Sequence, residues 1–356
     1  MKHRLARLAP LLALVALGFA LSAGCGDDDD DGAAAETDGG GEDLRSVTLM
    51  LDWTPNTNHS GIYVAQDKGW YEEQGLRVDI IEPAAGGTEQ AVAGGQAQFG
   101  ISVQEQVIPA RQQGIPVVSI AAIIQHNTSS LMSLAEDGIE RPADLPGHTY
   151  GGFGGALETA LIRTLVTCDG GDPDGVEFVE VGNADYLVGM EEDQFDVVWI
   201  FDAWDGLRAT DVEQRDVNFI HFADWFDCIP DWYTPVFITS QDMIESDPDT
   251  VRAFMEATSR GYEFAMENPE ETADILLRAA PELDERLVRA SAEWLATRYV
   301  DEGRQWGLQD REVWDRFHEF VLNAGLIEEP IDVEAAYTND FLPDNEGSMD
   351  AGDATQ

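Results

Sequence analysis

The fold of this chain is decided by the stretch VTLMLDWTPNTNH at residues 47–59. Residues 47–51 form a short and mostly apolar run, which is typical of a buried strand. Polar and aromatic residues follow at once, and from residue 58 to residue 74 apolar side chains recur at helical spacing until Gly75. Residues 76–81 then predict a second strand. A strand, a helix and a strand in succession indicate a parallel β-α-β unit.

The same alternation continues along the chain. Further helices and strands are predicted at 89–96, 99–102, 104–112 and 117–124, and a second unit near His148 adds elements at 149–155, 156–167, 176–181, 184–191 and 195–201. After residue 239 long helices are predicted at 250–268, 270–279, 284–299 and 310–323. The length of 356 residues favours two domains. The sequence therefore predicts an α/β fold with mostly parallel strands covered by helices.

Acidic side chains dominate the composition. The chain has 69 Asp and Glu against 20 Lys and Arg, a formal net charge of −49, and its only lysines are Lys2 and Lys68. Such a surface repels the phosphates of nucleic acids and of anionic lipids, which argues against both as partners. It also resembles the lysine-poor surfaces of proteins adapted to salt, an interpretation that concerns habitat and says nothing about the fold.

The first 25 residues resemble a secretory signal peptide. Three Lys or Arg residues precede residues 11–21, which are almost wholly apolar. That run is too short for a membrane-spanning helix, which needs ~20 apolar residues. It ends in LSAGC at 21–25, which resembles the lipobox of bacterial lipoproteins, although Ser22 stands where an aliphatic residue is usual. We predict lipid attachment at Cys25; ordinary cleavage is the alternative.

Residues 26–45 follow the signal peptide as an acidic segment with an aspartate run at 27–31. Its composition cannot bury enough apolar surface to order itself, so we predict a disordered tether, and likewise a disordered tail at 344–356. The other cysteines, Cys168 and Cys228, could form a disulfide in an oxidising compartment or remain free thiols, and the sequence leaves both readings open. We predict no metal site and no cofactor.

Polar and aromatic side chains gather at the predicted strand-to-helix turns. Ligands of open α/β sheets bind beyond the carboxyl ends of the strands, where such turns converge. For the first turn the alternative is a helix cap by Asn58 with Trp53 in the core. The glycine-rich turn at 151–155 lacks the Lys-Ser/Thr ending of a P-loop. Candidate ligand-binding residues are Asp52, Trp53, Asn56, Asn58, His59, Glu105, Gln125, Asn127, Gly152, Phe153, Gly154, Glu158, Trp204, Asp205, Asp231, Trp232 and Tyr233.

Six motifs resemble one known family. They are DWTPNTNH at 52–59, GIYVA at 61–65, KGWYEEQGL at 68–76, GGQAQFG at 94–100, QHNT at 125–128 and PDWYTPV at 230–236. These motifs resemble the SsuA/THI5-like (NMT1/THI5-like) family, which includes the thiamine-pyrimidine synthase of yeasts. Its bacterial transport relatives bind a formylaminopyrimidine precursor of thiamine, riboflavin or, more distantly, alkanesulfonates. The resemblance spans residues 47–342 and is less specific about the ligand than about the family.

The resemblance implies a type II periplasmic-binding-protein fold, in which two α/β lobes close on a ligand by a hinge motion. Lobe 1 would comprise residues 46–145 and 236–343, and lobe 2 residues 146–235. Two chain crossings, near Asp144 and Asp231, would form the hinge.

The resemblance also implies a role in transport. We expect a monomeric, extracytoplasmic solute-binding component of an ABC importer, held at the membrane by its lipid and working with an ABC permease. A surface receptor that presents its ligand to a sensor is the alternative.

The enzymes of the family use a lysine, a histidine and a cysteine-rich segment. The aligned positions here hold Ser102, Gln106 and the cysteine-free residues 229–233. A Schiff base with pyridoxal phosphate needs an amine. We therefore expect a binding protein and not an enzyme.

A flat nitrogen heteroaromatic is the ligand class that the candidate residues favour. Their aromatic rings could stack on it, while their carboxylates and amides hold its edge. We favour a thiamine pyrimidine precursor of the formylaminopyrimidine type, with riboflavin as the alternative. A sulfonate ranks third, because Arg111 and Arg141 do not lie at the predicted binding turns.

Overall fold

Two five-stranded sheets organise the residues that the computed structural model describes, 44–83, 87–182 and 184–344. The predicted signal peptide, Cys25, nearly all of the predicted tether and the predicted tail beyond residue 344 lie outside the described residues. In chain order the strands are β1 (Arg45–Met50), β2 (Leu76–Ile81), β3 (Phe99–Ser102), β4 (Val117–Ala122), β5 (Ser129–Leu134), β6 (Thr149–Gly152), β7 (Glu177–Glu180), β8 (Val197–Phe201), β9 (Val217–His221) and β10 (Val236–Ser240).

Helices cover both sheets, and the longest follow the last strand. They are α1 (Ser60–Asp67), α2 (Trp70–Glu73), α3 (Thr88–Ala93), α4 (Gln104–Gln112), α5 (Ala156–Cys168), α6 (Tyr186–Glu191), α7 (Gln241–Ser246), α8 (Pro248–Glu267), α9 (Pro269–Ala279), α10 (Glu285–Ala296) and α11 (Arg311–Asn323). None of these helices has the length and apolarity that crossing a membrane requires.

The first sheet has the strand order β2-β1-β3-β10-β4, and only β10 runs antiparallel to its neighbours. The second has the order β7-β6-β8-β5-β9, with β5 antiparallel to β8 and β9. In β1, Leu49 is fully buried and pairs with Ile80 and Phe99, so the decisive first strand is a central one. The predicted α/β class is confirmed. We refer to the units built on the two sheets as lobe 1 and lobe 2.

The prediction of one continuous helix over residues 58–74 is wrong, because the chain forms two helices there. Gly69 has a φ of 73°, and a left-handed residue ends a right-handed helix. The chain therefore forms α1 and α2 as separate helices before β2. The spacing of the apolar residues is helical on both sides of this break, which is why the pattern alone does not reveal it.

Lobe 2 begins earlier than predicted. Strand β5, which the sequence analysis did not anticipate, pairs with β8 and β9. The assignment of residues 129–145 to lobe 1 is therefore wrong, and the first crossing lies at 123–128 instead of near Asp144. The return crossing, between β9 and β10 at 222–235, contains Asp231. We call these two segments the first and second crossings.

Buried serines explain why β5 was missed. Ser129, Ser130 and Ser133 are all buried, so the strand lacks the apolar alternation by which strands are recognised. Tertiary hydrogen bonds satisfy two of them: Ser130 Oγ donates to Asp202 Oδ1 at 2.6 Å, and Ser133 Oγ donates to the Ile139 carbonyl at 3.2 Å. Asp202 is 72 residues from Ser130, and Ile139 lies six residues beyond Ser133, outside the strand, so no period-two pattern within β5 reveals either partner.

The C-terminal helices complete lobe 1 through one close helix crossing. Helices α1 and α8 meet where Gly61 faces Gly261, and a Cβ on Gly261 would lie 1.9 Å from the Gly61 carbonyl oxygen. Only glycine permits this approach. The contact fixes α1, and with it the turn that precedes α1.

Cys168 and Cys228 form a disulfide with a Cα–Cα distance of 6.0 Å. The bond joins the last residue of α5 to the second crossing, and 60 residues separate the two cysteines. Of the two possibilities that the sequence left open, a disulfide and two free thiols, the structure has the disulfide. The bond ties a helix of lobe 2 to the segment that returns the chain to lobe 1.

Replacing both cysteines by serine should lower the free energy of unfolding by ~2–4 kcal/mol, because the unfolded chain regains the entropy of an open loop. Urea denaturation of the double variant measures this loss, and wild-type protein treated with a reductant should fall to the same midpoint. A midpoint equal to that of the oxidised wild type would contradict the stabilising role.

Candidate functional site

The carboxyl ends of parallel strands from both sheets face one region, which we call the interlobe cleft. The first crossing joins the end of β4 to the beginning of β5, so these strand ends lie next to each other. Directly after β8, Ala203 packs into the main core of lobe 1 and Trp204 packs against a second apolar cluster there. The turns that follow β1, β3, β6 and β8 therefore border the cleft, where ligands of such sheets bind.

The turn after β1 is held by its own polar residues. Fully buried His59 accepts a hydrogen bond at Nδ1 from the Asn56 N–H (3.2 Å), so its proton lies on Nε2, which faces Asp52 Oδ1 at 2.8 Å. Asn56 Oδ1 accepts from the Asn58 N–H at 2.9 Å. This network displays Trp53, whose side chain is 48% exposed. Asn56 and His59 thus shape the turn, while Trp53 is the member that is open to a ligand.

Asn58 and Gln125 also contribute to lobe 1 through the main chain. The Asn58 carbonyl accepts a hydrogen bond from the Tyr262 hydroxyl at 2.7 Å, and the Gln125 N–H donates to the Tyr299 carbonyl at 3.0 Å. Gln125 is buried and lies in the first crossing. Both candidates therefore lie at the cleft border with their backbones fixed to the C-terminal part of lobe 1.

The glycine-rich turn after β6 is organised by Glu158. Its carboxylate accepts hydrogen bonds from the Tyr150 hydroxyl (3.0 Å) and from the N–H groups of Phe153 (3.1 Å) and Gly155 (2.9 Å). This arrangement caps the start of α5. Glu158 was expected to hold the ligand, but its oxygens are occupied by the protein. The side chain that the turn displays is Phe153, which is 58% exposed.

Two glycines allow this turn to close on Glu158. Gly154 has a φ of 76°, a conformation that favours glycine. A Cβ on Gly152 would lie 2.7 Å from Glu158 Oε1 and 2.6 Å from the Tyr150 ring. Their role at the candidate site is therefore to let the backbone approach the carboxylate.

The segment after β8 consists of the π-helical turns Asp202–Gly206 and Arg208–Val212. Trp204 on this segment packs against an apolar cluster of lobe 1 that includes Val288 and Ala292 of α10. The predicted stacking residue Trp204 therefore makes a contact between the lobes. π-Helical turns are rare and occur frequently at functional sites.

Asp205 lies on the same segment and is largely desolvated. Burial raises the pKa of its carboxyl to about 6. Tyr186, at the start of α6, has a pKa raised to about 12 by burial and by the nearby Asp205 carboxylate. The sequence analysis missed Tyr186, because it follows a turn at the lobe-2 strand ends without any motif that marks it.

Trp232 and Tyr233 were expected to stack on a ligand, but both side chains are fully buried. Trp232 stacks on Phe317 of α11 with ring centroids 5.2 Å apart and meets Trp199 edge-on at 6.0 Å. The Tyr233 hydroxyl accepts a hydrogen bond from the Asp310 N–H at 2.7 Å. Protein groups contact both rings, so these residues form the apolar base between the lobes.

Glu105 lies in the first turn of α4, beside Trp232. Burial raises the pKa of its carboxyl to about 8. Its Oε2 is buried without a hydrogen-bond partner among the described residues. A carboxyl with this pKa is mostly protonated at neutral pH, so Glu105 can donate a hydrogen bond.

Asp231 ties the two crossings together. Its Oδ1 accepts the Asn127 N–H at 2.9 Å and its Oδ2 contacts His126 Nδ1 at 2.5 Å, while His126 Nε2 lies 3.1 Å from Asp301 Oδ2. The carboxylate expected to bind ligand is therefore occupied by the hinge. A cavity of about 400 Å³ lies beside this contact, and it is lined by His126, Phe226, Asp231, Asp310, Arg311, Glu312, Val313 and Arg316.

One cluster has the residue types of a hydrolase triad without its geometry. Ser130 Oγ lies 2.6 Å from Asp202 Oδ1 and 2.7 Å from His221 Nδ1, and the same Nδ1 lies 3.1 Å from Asp202 Oδ2. A triad joins serine and aspartate through different imidazole nitrogens. Ser130 is also fully buried, so this cluster cannot relay a proton to a substrate. Within the described ranges no group of three or more His, Cys, Asp or Glu side chains could hold a metal ion.

Comparison with known proteins identifies the family. A family model described as NMT1/THI5 like matches residues 56–272. The chain belongs to the NMT1/THI5-like family. The match begins within the turn after β1 and continues through the whole of lobe 2 into α9. The resemblance carried by the sequence motifs is thereby confirmed.

Three curated relatives match most of this family member. It is 30% identical to the formylaminopyrimidine-binding protein of Halalkalibacterium halodurans, with 84% of this chain and 91% of the relative covered. It is 26% identical to the 4-amino-5-hydroxymethyl-2-methylpyrimidine phosphate synthase of Legionella pneumophila (84% and 92% covered). It is 28% identical to the riboflavin-binding protein RibY of Chloroflexus aurantiacus (84% and 87% covered).

A solved structure supports the fold. The periplasmic aliphatic sulphonate binding protein SsuA of Escherichia coli superposes with a TM-score of 0.64 at 13% identity, covering 82% of this chain and 91% of that one. At this identity the likeness concerns the fold alone. The predicted periplasmic-binding-protein fold is confirmed.

The His126 contact should make stability depend on pH. The hydrogen bond to Asp231, supported by Asp301, raises the pKa of His126 from 6.5 to about 9. The stabilisation is therefore fully present below about pH 6.5 and is lost as the pH rises through about 9. Urea denaturation near pH 6 and near pH 10 should show a larger difference between wild type and His126→Gln at the lower pH. An equal difference at both values would contradict this assignment.

Proposed function

We propose that this protein is the extracytoplasmic solute-binding component of an ABC importer and that it captures a thiamine pyrimidine precursor of the formylaminopyrimidine type. The observation that carries the proposal is the display of aromatic side chains at the strand ends of both lobes. Similarity to a formylaminopyrimidine-binding protein over most of both chains supports the ligand class. The periplasmic-binding-protein fold supports the solute-binding role.

The exposed aromatic residues suit a flat ligand. Among the described residues five large apolar side chains are exposed, and three of them, Trp53, Phe153 and Phe201, lie where β1, β6 and β8 end. Single exposed apolar side chains are ordinary, but exposed apolar surface that is grouped in one place marks ligand-binding grooves. A stacked aromatic pair contributes ~0.5–1.5 kcal/mol beyond the burial of its area. Rings from two lobes could therefore enclose a heteroaromatic plane when the lobes close.

The cleft also offers groups of opposite hydrogen-bonding character. Glu105 of lobe 1, with a pKa of about 8, donates at neutral pH, whereas Asp205 of lobe 2, with a pKa of about 6, mostly accepts. An aminopyrimidine carries ring nitrogens that accept and an amino group that donates. Asp205 is the group that we assign to the amino side of the ligand, because an ionised carboxylate strengthens such a bond.

A pyrimidine-synthase activity is the second candidate, since several relatives are named as synthases. The chemistry of the residues argues against it. Ser102 takes the position of the family lysine, and its hydroxyl donates to Glu89. Lys68, the only lysine beyond the signal peptide, contacts Glu271 at the protein surface. The described residues therefore place no amine at the cleft.

Riboflavin is the alternative ligand, because a riboflavin-binding relative matches the chain almost as well as the formylaminopyrimidine-binding one. Its isoalloxazine ring is larger and would need a longer slot. Attachment to the membrane through a lipid on Cys25, and delivery to an ABC permease, complete the proposal and rest on the N-terminal sequence pattern.

A thermal-shift panel tests the ligand class. The formylaminopyrimidine, hydroxymethylpyrimidine, thiamine, riboflavin and taurine are each added to the purified protein. The true ligand at ~100 times its dissociation constant should stabilise the fold by ~2.7 kcal/mol. We expect the largest shift with the formylaminopyrimidine. If riboflavin gave it instead, the alternative would hold, and no shift with any compound would refute the proposed ligand class.

Trp53→Ala should abolish that shift, because it removes an exposed ring at the end of β1. Trp70→Ala is the matched control: Trp70 begins α2, before β2, and therefore lies at the opposite edge of the same sheet. The control should retain the shift. Loss of ligand binding in both variants, or in neither, would remove Trp53 from the site.

Incubation with pyridoxal phosphate separates binder from synthase. Because no amine lies at the cleft, neither the wild type nor Lys68→Arg should show a Schiff-base absorbance band. A stoichiometric band would restore the synthase assignment.

A further inference from the structure

Buried polar atoms without partners concentrate around one part of the cleft. Seven such side-chain atoms among the described residues belong to the first turn of α4, the two crossings and the adjoining strands β5 and β8. They are Gln104 Nε2, Glu105 Oε2, Asn127 Nδ2, Ser129 Oγ, Trp199 Nε1, Trp232 Nε1 and Thr234 Oγ1. An unsatisfied buried polar group costs ~1–3 kcal/mol, so each of these groups needs a partner, which a ligand or an ordered water can supply.

The orientation of two amide side chains is fixed by the backbone. Gln104 Oε1 accepts the Tyr233 N–H at 2.8 Å, and Asn127 Oδ1 accepts the Ser129 N–H at 2.8 Å. A main-chain N–H can only donate, so the oxygen of each amide must face it. The NH₂ groups of Gln104 and Asn127 are therefore the free ends. Their residues are 0% and 2% exposed.

A continuous set of contacts holds these groups together. The Gln104 N–H donates to the Tyr233 carbonyl at 3.0 Å, next to Trp232 in the chain. Trp232 lies beside Glu105 and meets Trp199 edge-on, and Asp231 holds Asn127. The free groups thus belong to lobe 1, to both crossings and to lobe 2. Any molecule that bonds to several of them must lie between the lobes at the base of the cleft.

All of the free groups except Glu105 Oε2 share one chemical property, the ability to donate a hydrogen bond. The amide NH₂ groups and the Trp199 indole N–H can only donate, and the hydroxyls of Ser129 and Thr234 can donate as well. None of the donor-only groups can be satisfied by an amino group of a ligand. They require oxygen or nitrogen acceptors.

We propose that Gln104 and Asn127 are specificity-determining residues, which read the acceptor edge of the ligand, a ring nitrogen or a carbonyl oxygen, at the base of the interlobe cleft. This inference rests on the proposed binding function and specifies how the ligand enters: acceptor edge toward the crossings, amino edge toward Asp205. A formyl oxygen and the pyrimidine nitrogens are acceptors of this kind. A ligand bound in this way would also provide hydrogen-bond partners for these groups.

Two nearly isosteric variants test the inference. Gln104→Glu and Asn127→Asp keep an oxygen for the Tyr233 and Ser129 N–H groups and remove the NH₂ donors. Each should weaken binding of the formylaminopyrimidine at least about tenfold, as measured by isothermal titration, because a donor is lost and a carboxylate faces the acceptor edge. Gln98→Glu is the matched control: Gln98 Oε1 likewise accepts a main-chain N–H, from Thr48 at 2.8 Å, but lies before β3, at the opposite edge of the sheet. It should bind like wild type.

A second measurement uses wild-type protein alone and does not depend on the variants folding. The deformylated aminopyrimidine keeps the ring and the amino group but lacks the carbonyl oxygen, so it should bind at least about tenfold more weakly than the formyl compound. Wild-type affinity in both variants, or equal affinity for both compounds, would overturn the donor assignment while leaving the binding function intact. Absence of binding by wild type to any of the compounds would instead refute the proposed function.

Discussion

The contact on which the rest of the site depends is the one between Asp231 and the first crossing. A single carboxylate accepts the Asn127 N–H and holds the His126 imidazole, so the two segments that connect the lobes are joined to each other. This contact sets where the two rows of strand ends face one another. The His126 imidazole extends it to Asp301 of lobe 1. Because the hinge occupies both oxygens of Asp231, a ligand must be recognised by other groups.

At the cleft, polar residues fix the turns and aromatic residues are exposed. Glu158 and the pair of Asn56 and His59 bond to protein groups and thereby fix two turns, and the turns in return display Phe153 and Trp53. An aromatic ring on a rigid turn loses little entropy when it stacks on a ligand. Hydrogen bonding to the ligand is then left to groups that the fold buries without partners. This arrangement suits a solute-binding protein, which needs a preorganised site and no reacting group.

Much of the fold could be predicted from the sequence because its strands are apolar runs separated by helices of clear periodicity. Strand β5 could not, since its buried serines find their partners only in the folded chain. The break at Gly69 was equally hidden, because the apolar spacing continues past it. At the site, the turns after β1 and β6 were correctly located at strand ends. The role of each side chain was harder to predict from the sequence. Trp232 is an aromatic residue of the second crossing, yet α11 covers its ring.

The sequence by itself determined the α/β class, the family and the position of the turns at the strand ends, because these depend on local periodicity and on contiguous motifs. Only the tertiary structure decided the cysteine pairing, the place of the first crossing and which polar groups remain free. Gln104 illustrates the reason: its amide oxygen is used by Tyr233, which is 129 residues away, and this contact leaves the NH₂ group unpaired. Hydrogen-bond satisfaction is a property of the whole fold, so no stretch of sequence contains it.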